Sequence, residues 1–239
     1  MESPNTIGDY AVIGDGRSAA LVGRDGSIDW LCWPRVDSPS LFGAILDPGA
    51  GRWRVAPVEP FRAERRYVDD TNVLETRFET AGGSLVLTDL MPVADEDEKH
   101  RLLMPEREIL RLLRCDRGEV ELEMVFDPRP EYGRAPRRLR SVGALGIRLD
   151  VDSSVLALRS DLPLAIGPDG VVRTRVRLRA GEGAHLSLTY ATEAPAVWPP
   201  VGEWSRACLD RTVAWWQRWV SQLRYDGPAA SRSSGARSP

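Results

Sequence analysis

The stretch EREILRLLRCDRGEVELEMVF, residues 106–126, decides the fold predicted for this chain of 239 residues. Apolar residues alternate with glutamates through residues 119–124, and this period of two is typical of a half-buried antiparallel strand. The letters DRG at residues 116–118 interrupt the run with residues that favour turns. The stretch therefore predicts a β-hairpin, with one strand on each side of the turn.

A second alternating run, VRTRVRLR, lies at residues 172–179, where four arginines occupy every other position. We interpret these arginines and the glutamates of residues 119–124 as two separate, solvated strand faces. Two alternatives stay open. In the first, the acidic and basic rows pair across neighbouring strands. In the second, the arginines form a face that binds a polyanion, which the acidic residues that balance their charge disfavour.

Most of residues 1–198 consists of similar short runs, separated by glycine, aspartate and proline. Such spacing predicts many strands joined by tight turns. We therefore expect a mainly β domain over residues 1–198.

One long helical pattern follows, within residues 199–228, where apolar residues recur at spacings of three and four. Tryptophans stand on more than one face, so the helix should have two partners, the β domain and a second one outside this chain. The candidates for that interdomain contact are Trp204, Trp215, Trp216 and Trp219. Residues 229–239 are small and polar and are expected to be disordered.

The composition argues against several classes of function. A net charge of -3 and a pI near 5.6 disfavour a nucleic-acid-binding protein. Cys32, Cys115 and Cys208 lie far apart without CxxC spacing, so we expect no disulfide framework, no metal site and no cofactor. No run approaches the ~20 apolar residues that cross a membrane, and the expected location is the cytoplasm.

Residues 25–46, DGSIDWLCWPRVDSPSLFGAIL, raise the first question of chemistry. Trp30 and Trp33 are interpreted as core or interdomain packing, on opposite faces of a strand. The alternative is the rim of a carbohydrate site. In that case the indole rings stack on sugar rings, while Arg35 and Asp37 bind sugar hydroxyls.

No catalytic residue is assigned from these patterns. Neither a phosphate-binding loop nor a nucleophile elbow is present. Glycoside hydrolysis needs two acidic residues that flank the scissile bond. Because the chain has 35 acidic residues, their spacing along the sequence cannot identify such a pair. The four acids least typical of loops are expected to cap turns or pair with arginine: Asp9, Asp29, Asp37 and Asp89.

Residues 7–47, IGDYAVIGDGRSAALVGRDGSIDWLCWPRVDSPSLFGAILD, resemble the N-terminal signature of bacterial proteins of glycoside hydrolase family 15, the glucoamylase and trehalase group. The likeness continues through VLTDLMPV at residues 86–93 and VVRTRVRLRAGEGAHLSLTY at residues 171–190. It closes with WWQRWVSQLRYDGP at residues 215–228, which resembles the segment that leads into the catalytic domain. The resemblance covers residues 5–228.

This resemblance implies a trehalase-like N-terminal domain, folded as a large antiparallel β-sandwich of the supersandwich type and followed by a C-terminal linker helix. In the family, an α/α barrel comes next and carries both catalytic glutamates. It hydrolyses α-glucosidic bonds in maltooligosaccharides, starch or trehalose. No part of this chain resembles that barrel, so we expect a truncated, accessory domain that is inactive alone and has the barrel as its partner.

Two alternatives are kept for the function. The chain is a free-standing carbohydrate-binding or interaction module with α-glucosides as ligands, or it is a subunit that assembles with a separate barrel through the Trp-rich helix. A homo-oligomer also stays among the alternatives.

Overall fold

The computed structural model describes residues 6–102, 104–151, 153–192 and 200–223. The first strands are β1 (Tyr10–Gly14), β2 (Ala19–Gly23), β3 (Ser27–Cys32), β4 (Ser40–Phe42), β5 (Arg52–Pro57), β6 (Phe61–Tyr67), β7 (Leu74–Thr80) and β8 (Gly83–Leu90). The later strands are β9 (Arg107–Asp127), β10 (Leu139–Ser141), β11 (Ile147–Val151), β12 (Ser154–Ser160), β13 (Ala165–Ile166), β14 (Val172–Arg179) and β15 (Gly183–Ala191). The helices are α1 (Glu96–Leu102) and α2 (Glu203–Ser221).

Strand β9 belongs to two packed sheets. Its first half pairs with β8 and β15 in sheet 1, which has the order β6-β7-β8-β9-β15-β12-β11-β10. Its second half pairs with β5 and β14 in sheet 2, which has the order β1-β2-β3-β5-β9-β14-β13, with β4 beside β3. All these pairings are antiparallel, so the predicted β-sandwich with a C-terminal helix is confirmed.

The hairpin predicted over residues 106–126 is wrong, because β9 continues through the predicted turn as one strand of 21 residues. The pairing of β9 with β8 shifts by one residue here, so that Asp116 has no partner residue on β8 and forms a β-bulge. Gly118 has a φ of 67°, and a Cβ atom there would lie 2.0 Å from the carbonyl oxygen of Gly82. Glycine therefore allows the bend that carries β9 from one sheet into the other.

The bulge also lets both halves of β9 face one core. The side chains that point inward are odd-numbered before the extra residue and even-numbered after it, since successive strand residues alternate faces. These buried residues are Ile109, Arg111, Leu113, Cys115, Val120, Leu122, Met124 and Phe126. Phe126 makes edge-to-face contacts with Phe42 and Trp53, with ring centroids 5.9 and 5.8 Å apart.

Arg111 is a charged residue in this core, fully buried with Asp89 of β8. Its Nε and Nη2 atoms donate hydrogen bonds to the Asp89 carboxylate at 2.8 and 3.2 Å. Nη1 and Nη2 also donate to the carbonyl oxygens of Trp53 and Gly26, each at 2.6 Å. Because Trp53 lies in sheet 2 and Gly26 leads into it, this ion pair of sheet 1 is hydrogen-bonded to the backbone of the opposite sheet.

The glutamate and arginine rows pair across β9 and β14, whose register sets each glutamate opposite an arginine. An Arg175 nitrogen lies 3.0 Å from Glu123 Oε1, and Arg179 Nε lies 2.9 Å from Glu119 Oε2. The interpretation as two separate faces is therefore wrong, and cross-strand pairing is the arrangement found. These side chains are partly exposed, so each pair contributes little to the stability of the fold.

Helix α2 packs against the outer face of sheet 1. Cys208 joins Leu90, Leu110 and Leu112 in a second, smaller core, which is flanked by Trp204, Leu209 and Val213. The β domain is thus one of the two partners expected for the helix. In the described ranges, no helix is both long and apolar enough to span a bilayer.

The domain boundaries stay a prediction. Helix α2 lies inside the segment 199–228 that was expected to form a linker. The expected disordered tail, residues 229–239, lies outside the described residues.

Asp89→Asn tests the buried ion pair. Because the substitution leaves the Arg111 charge buried without its counter-ion, we expect a loss of about 3–5 kcal/mol in the free energy of unfolding. Denaturant titration measures it. The matched control is Asp37→Asn, which breaks an exposed pair with Arg35 and should leave the free energy of unfolding nearly unchanged. Equal effects of the two substitutions would contradict a structural role for the buried pair.

Candidate functional site

Three segments meet at one end of the sandwich, which we call the Trp33 end. They are the turn at residues 14–18, the segment 33–41 that follows β3, and residues 104–108 at the start of β9. Hydrogen bonds join the first two segments and the last two. This end therefore brings together parts of the chain that are far apart in sequence.

Asp15 holds the turn between β1 and β2. Its Oδ1 atom accepts hydrogen bonds from the backbone amides of Arg17 and Ser18 at 2.8 and 2.7 Å, as in other aspartate-stabilised turns. Gly14 permits the tight approach, since a Cβ atom there would lie 2.8 Å from the Ser18 carbonyl oxygen. Trp33 Nε1 donates to Ser18 Oγ at 3.2 Å, so the turn also fixes the indole ring.

Trp33 lies directly after β3 and is 5 % exposed, within the main core. Its ring centroid is 6.0 Å from that of Tyr190. Trp30 is half-buried and stands apart from that core. This difference agrees with the expected placement of the two tryptophans on opposite faces of the strand.

Arg107 ties the segment after β3 to the first residue of β9. Its Nε atom donates to the carbonyl oxygen of Pro34 at 2.8 Å, and Nη1 donates to that of Glu106 at 2.7 Å. Nε also lies 4.0 Å from the carboxylate of Asp15. Sequence reasoning missed this residue, because a single arginine after a loop gives no signal of where its carbonyl partners lie.

Arg35 and Asp37 bind each other and do not meet Trp33. Arg35 Nε lies 2.9 Å from Asp37 Oδ1, and the two side chains are 71 % and 67 % exposed. The hydrogen bond and charge of Arg35 hold the pKa of the Asp37 carboxyl below its usual value. Of the four rim candidates, Trp33 alone lines the pocket beside its ring.

The four acids selected from the sequence all have partners. Asp9, Asp37 and Asp89 each pair with an arginine, as predicted. Asp29 is buried and instead accepts hydrogen bonds from one tyrosine and one serine hydroxyl. None of these four carboxylates is left without a hydrogen-bond donor.

Trp215 and Trp216 bring helix α2 to the Trp33 end. Trp215 lines a polar pocket of about 210 Å³ together with Asp15 and Arg107. Trp216 lines an apolar groove on the other side of the same turn. The Trp216 ring makes edge-to-face contacts with Trp215 at 5.0 Å and with Trp219 at 5.7 Å, and Trp219 is 46 % exposed. We call these three residues the Trp row.

Trp204, the fourth candidate for an interdomain contact, faces the sandwich instead. Its ring packs on the smaller core under the helix. The guanidinium of Arg211 lies 5.1 Å above the same ring, a cation–π contact that covers it further. Trp204 therefore helps dock the helix on its own domain.

Glu108 is a second residue that sequence reasoning missed. It is 6 % exposed, and Ser187 Oγ donates to its Oε1 atom at 2.6 Å. Oε2 is buried and has no partner among the described residues. Burial raises the pKa of Glu108 to about 7, although Ser187 and the charge of Arg159 act in the opposite direction. The only signal in the sequence is an acid at the start of an apolar run.

In the described ranges, no three histidine, cysteine, aspartate or glutamate residues are grouped so that they could hold a metal ion. The three cysteines are free and buried.

A family model described as trehalase-like, N-terminal, matches residues 2–177. The chain belongs to the trehalase-like N-terminal domain family. The matched part of this trehalase-like domain contains β1 to β13, most of β14, and the three segments that meet at the Trp33 end. The trehalase-like N-terminal domain implied by the resemblance is thus confirmed.

Curated relatives of the trehalase-like domain carry the name trehalase. The trehalase of Mycolicibacterium smegmatis is 33% identical over an alignment of 232 residues, which covers 90% of this chain and 34% of that protein. The Mycobacterium tuberculosis trehalase is 29% identical, and the alignment again covers 90% of this chain and 34% of that protein. Trehalase 1 of Sulfolobus acidocaldarius is 36% identical over 153 residues, 63% of this chain and 25% of that protein. The chain spans about a third of the length of the first two relatives.

Glu108→Gln tests the buried carboxyl through the pH dependence of stability. The folded-state pKa of about 7 lies above the ordinary value of 4.5, so the folded state holds the proton more tightly than the unfolded chain. Wild-type stability should therefore fall as the pH rises between these two values and then level off. We expect the variant to match the wild type at about pH 4 and to exceed it by roughly 3 kcal/mol at about pH 8.

Denaturant unfolding at a series of pH values measures this difference. The control is Glu106→Gln, which changes an exposed carboxylate of the same segment and should leave the pH profile parallel to that of the wild type. A difference between Glu108→Gln and the wild type that does not vary with pH would contradict the buried, proton-binding carboxyl.

Proposed function

We propose that the trehalase-like domain is the accessory domain of a family 15 glycoside hydrolase that cleaves the α-glucosidic bond of trehalose. The curated relatives named trehalase support trehalose over maltooligosaccharides and starch as the substrate of the parent enzyme. The match covers about a third of those proteins. The catalytic α/α barrel is the proposed partner, and its glutamates, rather than residues of this chain, perform the hydrolysis.

The bonding of the acids supports a chain that is inactive alone. Inverting hydrolysis needs two carboxyl groups roughly 6.5–9.5 Å apart, one free to donate a proton and the other free to activate water. Asp9, Asp37 and Asp89 are neutralised by arginines, and Asp29 is held by hydroxyl groups. Glu108 is buried beneath other side chains.

The observation that carries the proposal is the Trp row at the Trp33 end. Trp215, Trp216 and Trp219 form a continuous aromatic surface of which Trp219 is nearly half exposed. Burying an exposed aromatic ring against a partner stabilises an interface by about 1.5–3 kcal/mol. We infer that the barrel packs here, and that the Trp33 end then lies close to the mouth of the barrel, where an α-glucoside enters.

The cytoplasm is the proposed location, in keeping with three cysteines that are free and buried. A second candidate function is sugar binding by the domain itself, which the pocket beside Trp33 favours. Assembly with a separately encoded barrel would use the same Trp row. A homo-oligomer would compete for it.

The purified chain should release no glucose from trehalose or maltose above the rate measured in buffer. A coupled glucose assay at several enzyme concentrations checks this. Release that increases in proportion to the concentration of the chain would contradict the accessory role.

A chimera tests the contact surface. In it, this chain replaces the matching third of the M. smegmatis trehalase. Trp219→Ala should lower the melting temperature and the trehalose turnover of the chimera, and should lower the melting temperature of the isolated chain by less, because there only the contact with Trp216 is lost. Leu145→Ala is the control, since Leu145 is equally exposed, at 47 %, in the turn before β11. The same effect from both substitutions on the chimera, or an equal effect of Trp219→Ala on the chimera and on the isolated chain, would argue against the Trp row as the interface.

A further inference from the structure

Helix α2 rests on sheet 1 through small side chains. Its three buried residues, Ser205, Cys208 and Thr212, follow one another at spacings of three and four and therefore lie on one face of the helix. Larger apolar side chains pack only at the sides of this face, namely Trp204, Leu209 and Val213. Because small side chains bury little apolar area, each of them stabilises the docking of the helix less than a large apolar residue would.

The polar atoms of this interface are incompletely hydrogen-bonded. The backbone amide of Val93 donates to Thr212 Oγ1 at 3.3 Å. Gln217 Nε2 donates to the carbonyl oxygen of Asp69, also at 3.3 Å. Four buried atoms have no partner among the described residues: Glu108 Oε2, Trp204 Nε1, Ser205 Oγ and Arg211 Nε. A buried polar atom without a partner costs free energy, so we expect this interface to open before the main core does.

Glu108 lies on the sheet beneath the helix. Residues of β9 alternate faces, so Glu108 shares the outer face with Leu110 and Leu112, which pack with Cys208. Burial, and next the charge of Glu108, raise the pKa of the Cys208 thiol to about 11, which places the two side chains close together. Ser187 Oγ donates to Glu108 Oε1, while Oε2 is enclosed. The helix thus covers a carboxyl group that only one hydroxyl satisfies.

The sheet and the helix each bring charged groups to Glu108. Arg159 of β12 attracts the ionised carboxylate, but burial has the larger effect and favours the neutral acid. His185 lies on the same face of β15 as Ser187 and is bonded to Asp161. On the helix, Arg211 donates to Cys208 Sγ at 3.0 Å. The docked helix therefore suits the neutral form of Glu108.

A second group of charges surrounds the polar pocket that Glu108 lines with Trp215. Its members are Asp15, Arg17, Glu96, Lys99, Glu106 and Arg107. Each cation in this group already pairs with a carboxylate of the same pocket. Glu98 of helix α1 acts on the Cys208 thiol. Among the described residues, the cation whose charge acts on Glu108 is Arg159.

We propose that the docking of helix α2 on sheet 1 depends on the protonation of Glu108. The helix covers the neutral carboxyl, and it opens locally when the carboxyl is ionised, because water then replaces the missing hydrogen-bond partners. The Trp row belongs to the same helix, so its position at the Trp33 end changes with pH. This inference concerns the chain alone and holds whichever partner the Trp row has.

The direction of the pH dependence follows from the buried carboxyl. In the docked state its pKa is about 7, whereas a hydrated carboxyl has the ordinary value of 4.5. The docked state therefore holds the proton more tightly than the opened state. Docking should be strongest below the lower of these values, weaken as the pH rises towards the higher one, and then level off.

The thiol of Cys208 reports the opening, because it is 1 % exposed beneath the helix. The folded chain is treated with iodoacetamide, and peptide mass spectrometry follows each cysteine. The rate at Cys208, divided by its rate in the unfolded chain at the same pH, gives the open fraction. This fraction should rise about tenfold between about pH 6 and about pH 8, and Cys115 in the main core should stay less reactive throughout. A constant open fraction, or equal values at Cys208 and Cys115, would overturn the proposal.

Three variants assign the pH dependence. Glu108→Gln should keep the open fraction low and constant, because the amide resembles the neutral acid. The matched control Glu106→Gln changes an exposed carboxylate and should keep the wild-type rise. Ser187→Ala removes a donor that favours ionisation, so the rise should continue to a higher pH. A rise that persists in Glu108→Gln, as titration of His185 would cause, or that ends at a lower pH in Ser187→Ala, would overturn the role of Glu108.

Discussion

The guanidinium of Arg111 lies fully buried between the two sheets, bonded to Asp89 in its own sheet and to the carbonyl oxygens of Trp53 and Gly26 on the other side. A buried charge is tolerated only where a counter-ion and hydrogen bonds replace water. This side chain therefore sets how the two sheets face each other. The backbone of β9 also fixes the relative position of the two sheets, because it leaves sheet 1 at Gly118 and continues into sheet 2.

The Trp33 end and helix α2 depend on the same strand. Arg107 begins β9 and holds the carbonyl oxygen of Pro34, while Leu110 and Leu112 point to the opposite face and form the floor under the helix. A strand that alternates between two faces thus connects the core, the candidate site and the helix docking surface through neighbouring residues. Side chains from the loops and the helix then complete the Trp33 end, which explains why it gathers tryptophans from both ends of the chain.

Strand content could be predicted from the sequence, since the alternation at residues 119–124 is a local property of the chain. The bulge at Asp116 and the bend at Gly118 could not, because the letters DRG at residues 116–118 also suit a hairpin turn. What decides between them is the close approach of Gly82, in the turn between β7 and β8. Trp33 was a sound candidate as a core residue from the sequence. The raised pKa of Glu108 depends on burial by distant parts of the chain, which no local pattern reveals.

Hydrogen exchange of the backbone amides of β9 tests most directly whether the two sheets form one unit. If Arg111 and the continuous strand couple them, amides before and after Gly118 should exchange with the same, global free energy of opening. Residues 109–115 and residues 120–126 would then be protected to the same extent and lose protection together in denaturant. A lower opening free energy for either half would contradict the account, because it would show that one sheet unfolds while the other remains.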